Sequence, residues 1–235
     1  MEDYKLANIR KYLVTNEGAK FVTHPSKIIG VESFRRHCMH LASSGENILD
    51  IGGGSGVWTR ILQEAGIHIN THALDLSLSM LKERKRGDVC ACGDMENLPF
   101  KDGNFDRVFF FASLHHVNNT QRALAEAKRV VRVGGHIVLI EPTSLRLLLL
   151  GRKIEAVDGV EFCFSVFHLL RTLRLADMKI VYTYHRGFCQ RFLPAKSILK
   201  LSRVADRLDD VLNKIPVLRT VGILGNSITI VAQKC

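Results

Sequence analysis

Apolar and polar positions along this chain alternate between two periods. Asn47–Ile51, residues 67–74, Val89–Cys92, Phe105–Phe111 and residues 136–141 are short apolar runs, most of them bounded by turn-forming residues, and they predict strands. Residues 57–65, 78–86 and 120–131 repeat apolar positions at helical spacing and predict helices between those strands. Lys101-Asp102-Gly103-Asn104 predicts a turn before the fourth strand, and Gly134-Gly135 one before the fifth. Strands alternating with helices make parallel βαβ units, whose ligands sit at the carboxyl ends of the strands near the switch in strand order.

The remainder is less regular. Residues 162–175 carry helical spacing, and residues 179–185 and 227–232 read as two late strands, seven in all. Residues 195–215 predict a helix whose apolar stripe is Ile198, Leu201, Ala205, Leu208, Leu212 and Ile215, with Lys196, Lys200, Arg203, Arg207 and Lys214 on a basic flank. The first forty-odd residues read as helical, with a break at Thr23-His24-Pro25-Ser26. No linker or repeat interrupts the 235 residues. The expectation is one α/β domain: a helical cap over 1–44, a binding core over 45–142 and a substrate-side region with the last strands over 143–235.

Composition changes the picture in three ways. No signal-peptide layout opens the chain, and the greasiest run, 145–150, is too short to span a bilayer and contains Arg146, so a cytoplasmic protein is expected. The six cysteines, Cys38, Cys90, Cys92, Cys163, Cys189 and Cys235, lack metal-ligand spacing and are expected to be reduced, mostly buried thiols, with no metal site. Residues 1–118 carry 14 basic and 14 acidic side chains, whereas residues 119–235 carry 19 and 9, so the whole net charge of +10 lies in the second half. Such a surface attracts nucleic acid, anionic lipid or a phosphorylated small molecule.

The candidate chemistry centres on Leu49-Asp50-Ile51-Gly52-Gly53-Gly54-Ser55-Gly56, a strand running through glycines into a helix. Glycine lets the backbone approach a ligand, and the helix start offers free N–H groups to a carboxylate. The dinucleotide fingerprint would need glycine at position 57, which is Val57, so a nicotinamide or flavin dinucleotide is disfavoured. Asp75, ending the second strand, suits the two hydroxyls of a ribose; the alternative is a helix cap.

The glycine loop resembles motif I of class I S-adenosylmethionine (SAM) methyltransferases. Gly93-Asp94-Met95-Glu96-Asn97-Leu98-Pro99-Phe100 with Phe105-Asp106 resembles the signature of their type 11 branch, which includes the ubiquinone and menaquinone methyltransferases. Leu114-His115-His116-Val117 and residues 129–135 fit as well, and the likeness covers about residues 45–142. The resemblance implies a Rossmann-like three-layer sandwich with a mostly parallel seven-stranded sheet and an antiparallel last strand. It implies that Asp50, Gly52, Gly53, Gly54, Ser55 and Gly56 hold the methionine part of SAM, Asp75 with Leu76 the ribose, and Asp94 and Met95 the adenine. Ala112 and Ser113 would line the floor near the sulfonium. Gly53 replaces the larger side chain often found second in this loop, a change expected to be harmless.

A methyl acceptor with an acidic proton calls for a general base, and His115, His116 and Glu141 are the candidates; packing or capping is the competing role for each. The motif that grips a flipped DNA base is missing from Phe111-Ala112-Ser113-Leu114. The resulting expectation is methyl transfer to a small-molecule, lipid or quinone-like acceptor, with peripheral contact to an anionic membrane. Transfer to tRNA is the second reading and a non-catalytic partner subunit the third.

Overall fold

The computed structural model describes residues 39–84, 87–143, 164–187, 198–215 and 227–235. The expected N-terminal helices, the 145–150 run, Cys38, Cys163 and Cys189 lie outside the described residues. Past a short 3-10 turn at Met39–Leu41, the elements run β1 Asn47–Ile51, α1 Val57–Glu64, β2 Asn70–Asp75, α2 Leu78–Lys82, β3 Val89–Cys92 and β4 Phe105–Phe111. A 3-10 turn at Leu114–His116 precedes α3 Thr120–Val130, β5 Val131–Pro142, α4 Val166–Leu175, β6 Met178–Arg186, α5 Ile198–Lys214 and β7 Ser227–Lys234.

The seven strands form one sheet in the order β3-β2-β1-β4-β5-β7-β6. β1 pairs in parallel with both β2 and β4, and β5 with β4; β7 alone is antiparallel, inserted between β5 and β6. This is the expected three-layer α/β sandwich. β1 and β4 are central and buried on both faces, which is why both read as nearly unbroken apolar runs. Side-chain alternation sorts them into two cores. Leu49, Ile51, Val108 and Phe110 pack with α3 and α4 through Leu124, Ala127, Leu169 and Leu173. Ile48, Phe109 and Phe111 pack with Ile61 and Leu62 of α1 on the other face.

Some expectations need correcting. Gly134-Gly135 is not a turn between helix and strand: β5 begins at Val131, and the glycines fall in a bulge where the register to β4 jumps between Phe105 and Arg107. The described thiols Cys90, Cys92 and Cys235 are free but exposed, the first two because β3 is the sheet edge. The stripe expected on α5 is split. Ala205 is buried, but Leu208 and Ile215 face outward with Val204 and Val211. The inward face is polar: Asn213 exchanges two hydrogen bonds with the His185 backbone and Asp209 accepts from Gly187 N, so paired polar groups outcompete apolar side chains there.

Candidate functional site

The strand order reverses at β1, and the loops leaving β1, β2, β3 and β4 converge at their carboxyl ends. Gly52 leaves β1 at φ +65, with its N–H donating to Leu74 O at 2.7 Å. A Cβ at Gly52 would stand 2.5 Å from Ser113 Cβ and 3.4 Å from Met95 Cε, so only glycine lets these loops meet. Ser113 Oγ donates to Ile51 O at 2.6 Å, tying the β4 loop to the end of β1. Ser55 and Gly56 are buried, and Gly56 opens α1, turning its first N–H groups toward the loop.

Asp75 accepts from Gly54 N at 2.9 Å through Oδ2 and from Ser77 N at 2.8 Å through Oδ1. Ser77, not Asp75, caps α2, because its Oγ accepts from Met80 N. The cap reading of Asp75 therefore fails, and its carboxylate joins the second strand to the glycine loop. Burial pushes the Asp75 carboxyl up from the ordinary aspartate range, against the pull of the Ser77 and Gly54 N–H donors and of Arg84. Leu76 follows it, half-buried, its carbonyl accepting from Cys92 Sγ. Asp94 folds its own turn, with Oδ1 accepting from Glu96 N. Met95 is buried in the core cluster and reaches toward Gly52, so packing and lining the site coincide in one side chain. The segment beyond is clamped to α3: Leu98 N donates to Glu126, and Arg129 donates to the carbonyls of Leu98 and Phe100 and to Asp102.

Asp50 is where sequence reasoning fell short. Its carboxylate is buried, and its Oδ2 accepts from Arg84 Nη1 at 3.1 Å. The same guanidinium donates to Gly53 O, Gly54 O, Thr59 Oγ1 and Asp88 Oδ2. A Cβ at Gly53 would lie 2.2 Å from Asp50 Oδ2 and 2.8 Å from Arg84 Nη1. Position 53 is thus glycine because the Asp50–Arg84 pair fills the space a side chain would need. Burial, outweighing Arg84, lifts the Asp50 carboxyl to about 6. Asp50 Oδ1 is buried and has no partner among the described residues. Arg84 stands four positions before Asp88, but Asp88 falls beyond the helix expected over residues 78–86, so no helical periodicity signals the pair.

The three proposed bases sort themselves differently. Glu141, fully buried at the end of β5, accepts from Ser113 N at 3.0 Å and Leu114 N at 2.8 Å through Oε1, and pairs with His115 Nδ1 at 2.7 Å through Oε2. Glu141 and His115 form one unit rather than rival candidates. His116 lies against His115, with ring centroids 4.0 Å apart and ring planes tilted by 42°. Ala112, exposed between β4 and this unit, holds φ 51, a strained conformation for alanine.

Known proteins point the same way. A family model described as a methyltransferase domain matches residues 49–139. A demethylmenaquinone methyltransferase of Renibacterium salmoninarum is 40% identical over 103 residues, covering 43% of this chain and 43% of its own. A malonyl-[acyl-carrier protein] O-methyltransferase of Pectobacterium atrosepticum is 33% identical over 123 residues, covering 51% of this chain and 48% of its own. The chain thus spans about half the length of these curated relatives. A crystal structure of a SAM-dependent methyltransferase from Thermotoga maritima superposes with a TM-score of 0.63 at 20% identity, covering 97% of this chain and 99% of that one, which extends the shared fold to the late strands. With the glycine loop, the strand order and these likenesses agreeing, residues 49–139 match the methyltransferase domain family, on a fold shared with SAM-dependent methyltransferases.

Proposed function

We propose that this chain is a SAM-dependent methyltransferase acting on a small, amphiphilic acceptor. The observation that carries the cofactor is the pairing of an orphaned, buried Asp50 Oδ1 with the glycine cradle at Gly52. A group bearing both an ammonium and a carboxylate fits there: the ammonium on Asp50, the carboxylate on the N–H groups opening α1. The remaining lone pairs of Asp75 suit ribose hydroxyls, and Asp94 and Met95 flank the place for the adenine. When bound, SAM supplies a methyl group on a positively charged sulfur. The chain's own part is to orient the acceptor and manage its proton. Glu141 takes the Nδ1 proton of His115 in a hydrogen bond, which leaves Nε2 as the atom able to accept a proton from the acceptor.

The relatives named for demethylmenaquinone and malonyl-[acyl-carrier protein] support a small-molecule acceptor over RNA. Incubation of the protein with methyl-labelled SAM and extract is expected to give label in the lipid or small-molecule fraction. That label should vanish for a Gly52→Ala/Gly54→Ala variant. Label confined to RNA would replace this reading with the tRNA one, and label in no fraction would oppose an active enzyme.

The outward face of α5 supports the amphiphilic part. Val204, Leu208, Val211 and Ile215 recur at helical spacing and are 41–55% exposed, and Arg207 and Lys214 are exposed on their flank. Among the described residues no helix is long and apolar enough to cross a membrane. An apolar stripe beside cations, in the half of the chain holding all the excess positive charge, complements the cytoplasmic surface of an anionic membrane. Sedimentation with vesicles containing phosphatidylglycerol is expected to pull down the protein at low salt, and Leu208→Glu/Val211→Glu to abolish this. Equal pelleting of both proteins, or none with wild type, opposes membrane docking.

A further inference from the structure

Arg84 is a group that neither the family resemblance nor the chemistry above absorbs. It lies at the end of α2, with its side chain 1% exposed, yet its guanidinium reaches four separate places. It meets the end of β1 at Asp50, the carbonyls of Gly53 and Gly54, the first turn of α1 at Thr59, and Asp88 before β3. Bringing a guanidinium out of water is costly, and these bonds offset that cost only because nearly every N–H finds an acceptor. The loop is shaped to receive it: a Cβ at Gly56 would stand 2.9 Å from Arg84 Cζ, and one at Gly53 2.8 Å from Nη1.

We propose that Arg84 is a positioning residue that keeps the Asp50 carboxylate ionised and aimed, so that Asp50 Oδ1 can hold the ammonium of the cofactor's amino-acid moiety. The proposal rests on the SAM reading above. Arg84 occupies Oδ2 and leaves Oδ1 free. A carboxylate in this place is opposed by burial and by two like charges, Asp75 and Asp88, and Arg84 is the cation that counters them. Without it, burial would favour the neutral acid, which binds an ammonium poorly. Asp88, bonded to Arg84 Nε, fixes the guanidinium from the far side.

The test is binding of S-adenosylhomocysteine (SAH), which carries the ammonium, beside 5′-methylthioadenosine, which lacks the amino-acid moiety. Dissociation constants are measured by calorimetry from pH 6 to 8.5 for wild type, Arg84→Gln and Arg84→Lys. Wild-type SAH binding is expected to tighten as pH rises from 6 and to level off above about 7, where Asp50, lifted to about 6, is ionised. Arg84→Gln should bind SAH at least tenfold more weakly at pH 7, with the gap narrowing as pH rises and Asp50 ionises. Arg84→Lys should recover most of the loss, and methylthioadenosine should bind all three alike. A loss constant across pH, or shared by methylthioadenosine, would make Arg84 a prop for the loop alone and overturn the proposal. Wild type binding methylthioadenosine but not SAH also overturns it, whereas wild type binding neither ligand removes the cofactor reading itself.

Discussion

Replacing Gly52 with alanine is expected to abolish SAH binding, weakening it at least a hundredfold, and to lower Tm by several degrees. The expectation comes from two independent costs. A non-glycine residue at φ +65 pays about 1–2 kcal/mol for the left-handed conformation. The new Cβ, 2.5 Å from Ser113 Cβ, adds an overpacking cost of about 1–3 kcal/mol in a region that also holds Met95. At about 2–4 °C per kcal/mol for a chain of this size, the combined shift is about 4–20 °C. Relief must come from moving Ser113 or the loop, and either displaces groups assigned to the cofactor: Ser113 Oγ is bonded to Ile51 O, and the loop to Asp75. Gly66→Ala separates the two costs. Gly66 sits at φ +87 with nothing within 4 Å of its would-be Cβ, so it should lose stability but bind SAH normally. Thermal denaturation and calorimetry on both variants check this. Unimpaired binding by a folded Gly52→Ala protein would remove the glycine cradle from the cofactor site.

How much of this was legible in the sequence differs by residue. β1, β3 and β4 fall where the apolar runs placed them: β1 and β4 because a central parallel strand is nearly unbroken in its apolar run, and β3, at the sheet edge, because Asp88 and Gly93 bound its short run. Gly52 and Asp75 were legible for the same reason: local backbone demands select residue type, and residue type is what a sequence records. Contacts between distant segments leave no such trace. His115 and Glu141 both drew attention, but as competitors, since 26 positions separate them and no periodicity joins the loop after β4 to the end of β5. Arg84 lies 34 positions from Asp50 and reads as one more cation on a helix. Gly53 looked like a neutral replacement for a larger residue, and the Asp50 carboxylate with its Arg84 partner shows why no larger residue fits. On α5 the periodic reading found a helix but chose its face by hydrophobicity, and the buried face is instead set by Asn213 and Asp209 meeting the backbone of the β6 end.

The second large effect concerns Glu141, where two substitutions separate a structural role from a chemical one. Glu141→Ala removes the acceptor from Ser113 N, Leu114 N and His115 Nδ1 at once, in a place with no solvent to replace it. Stranding buried donors costs about 1–3 kcal/mol each, so a large loss of stability, or failure to fold, is expected. Glu141→Gln is nearly the same size and is the informative change. Its amide oxygen can still accept from Ser113 N and Leu114 N, which preserves the loop. Its NH2 then faces His115 Nδ1 as a donor, so Nδ1 must become the acceptor and the ring proton moves to Nε2. An imidazole in that tautomer has no lone pair left on Nε2 to take a proton. The expected outcome is a fall in kcat of about 10²–10⁴, with SAH affinity and Tm close to wild type. His115→Ala should match that loss, and adding it to Glu141→Gln should cost little more, since the two act as one unit. A Glu141→Gln enzyme that turns over at the wild-type rate, with an unchanged pH profile, would leave Glu141 as the anchor of the β4 loop and assign the proton transfer elsewhere.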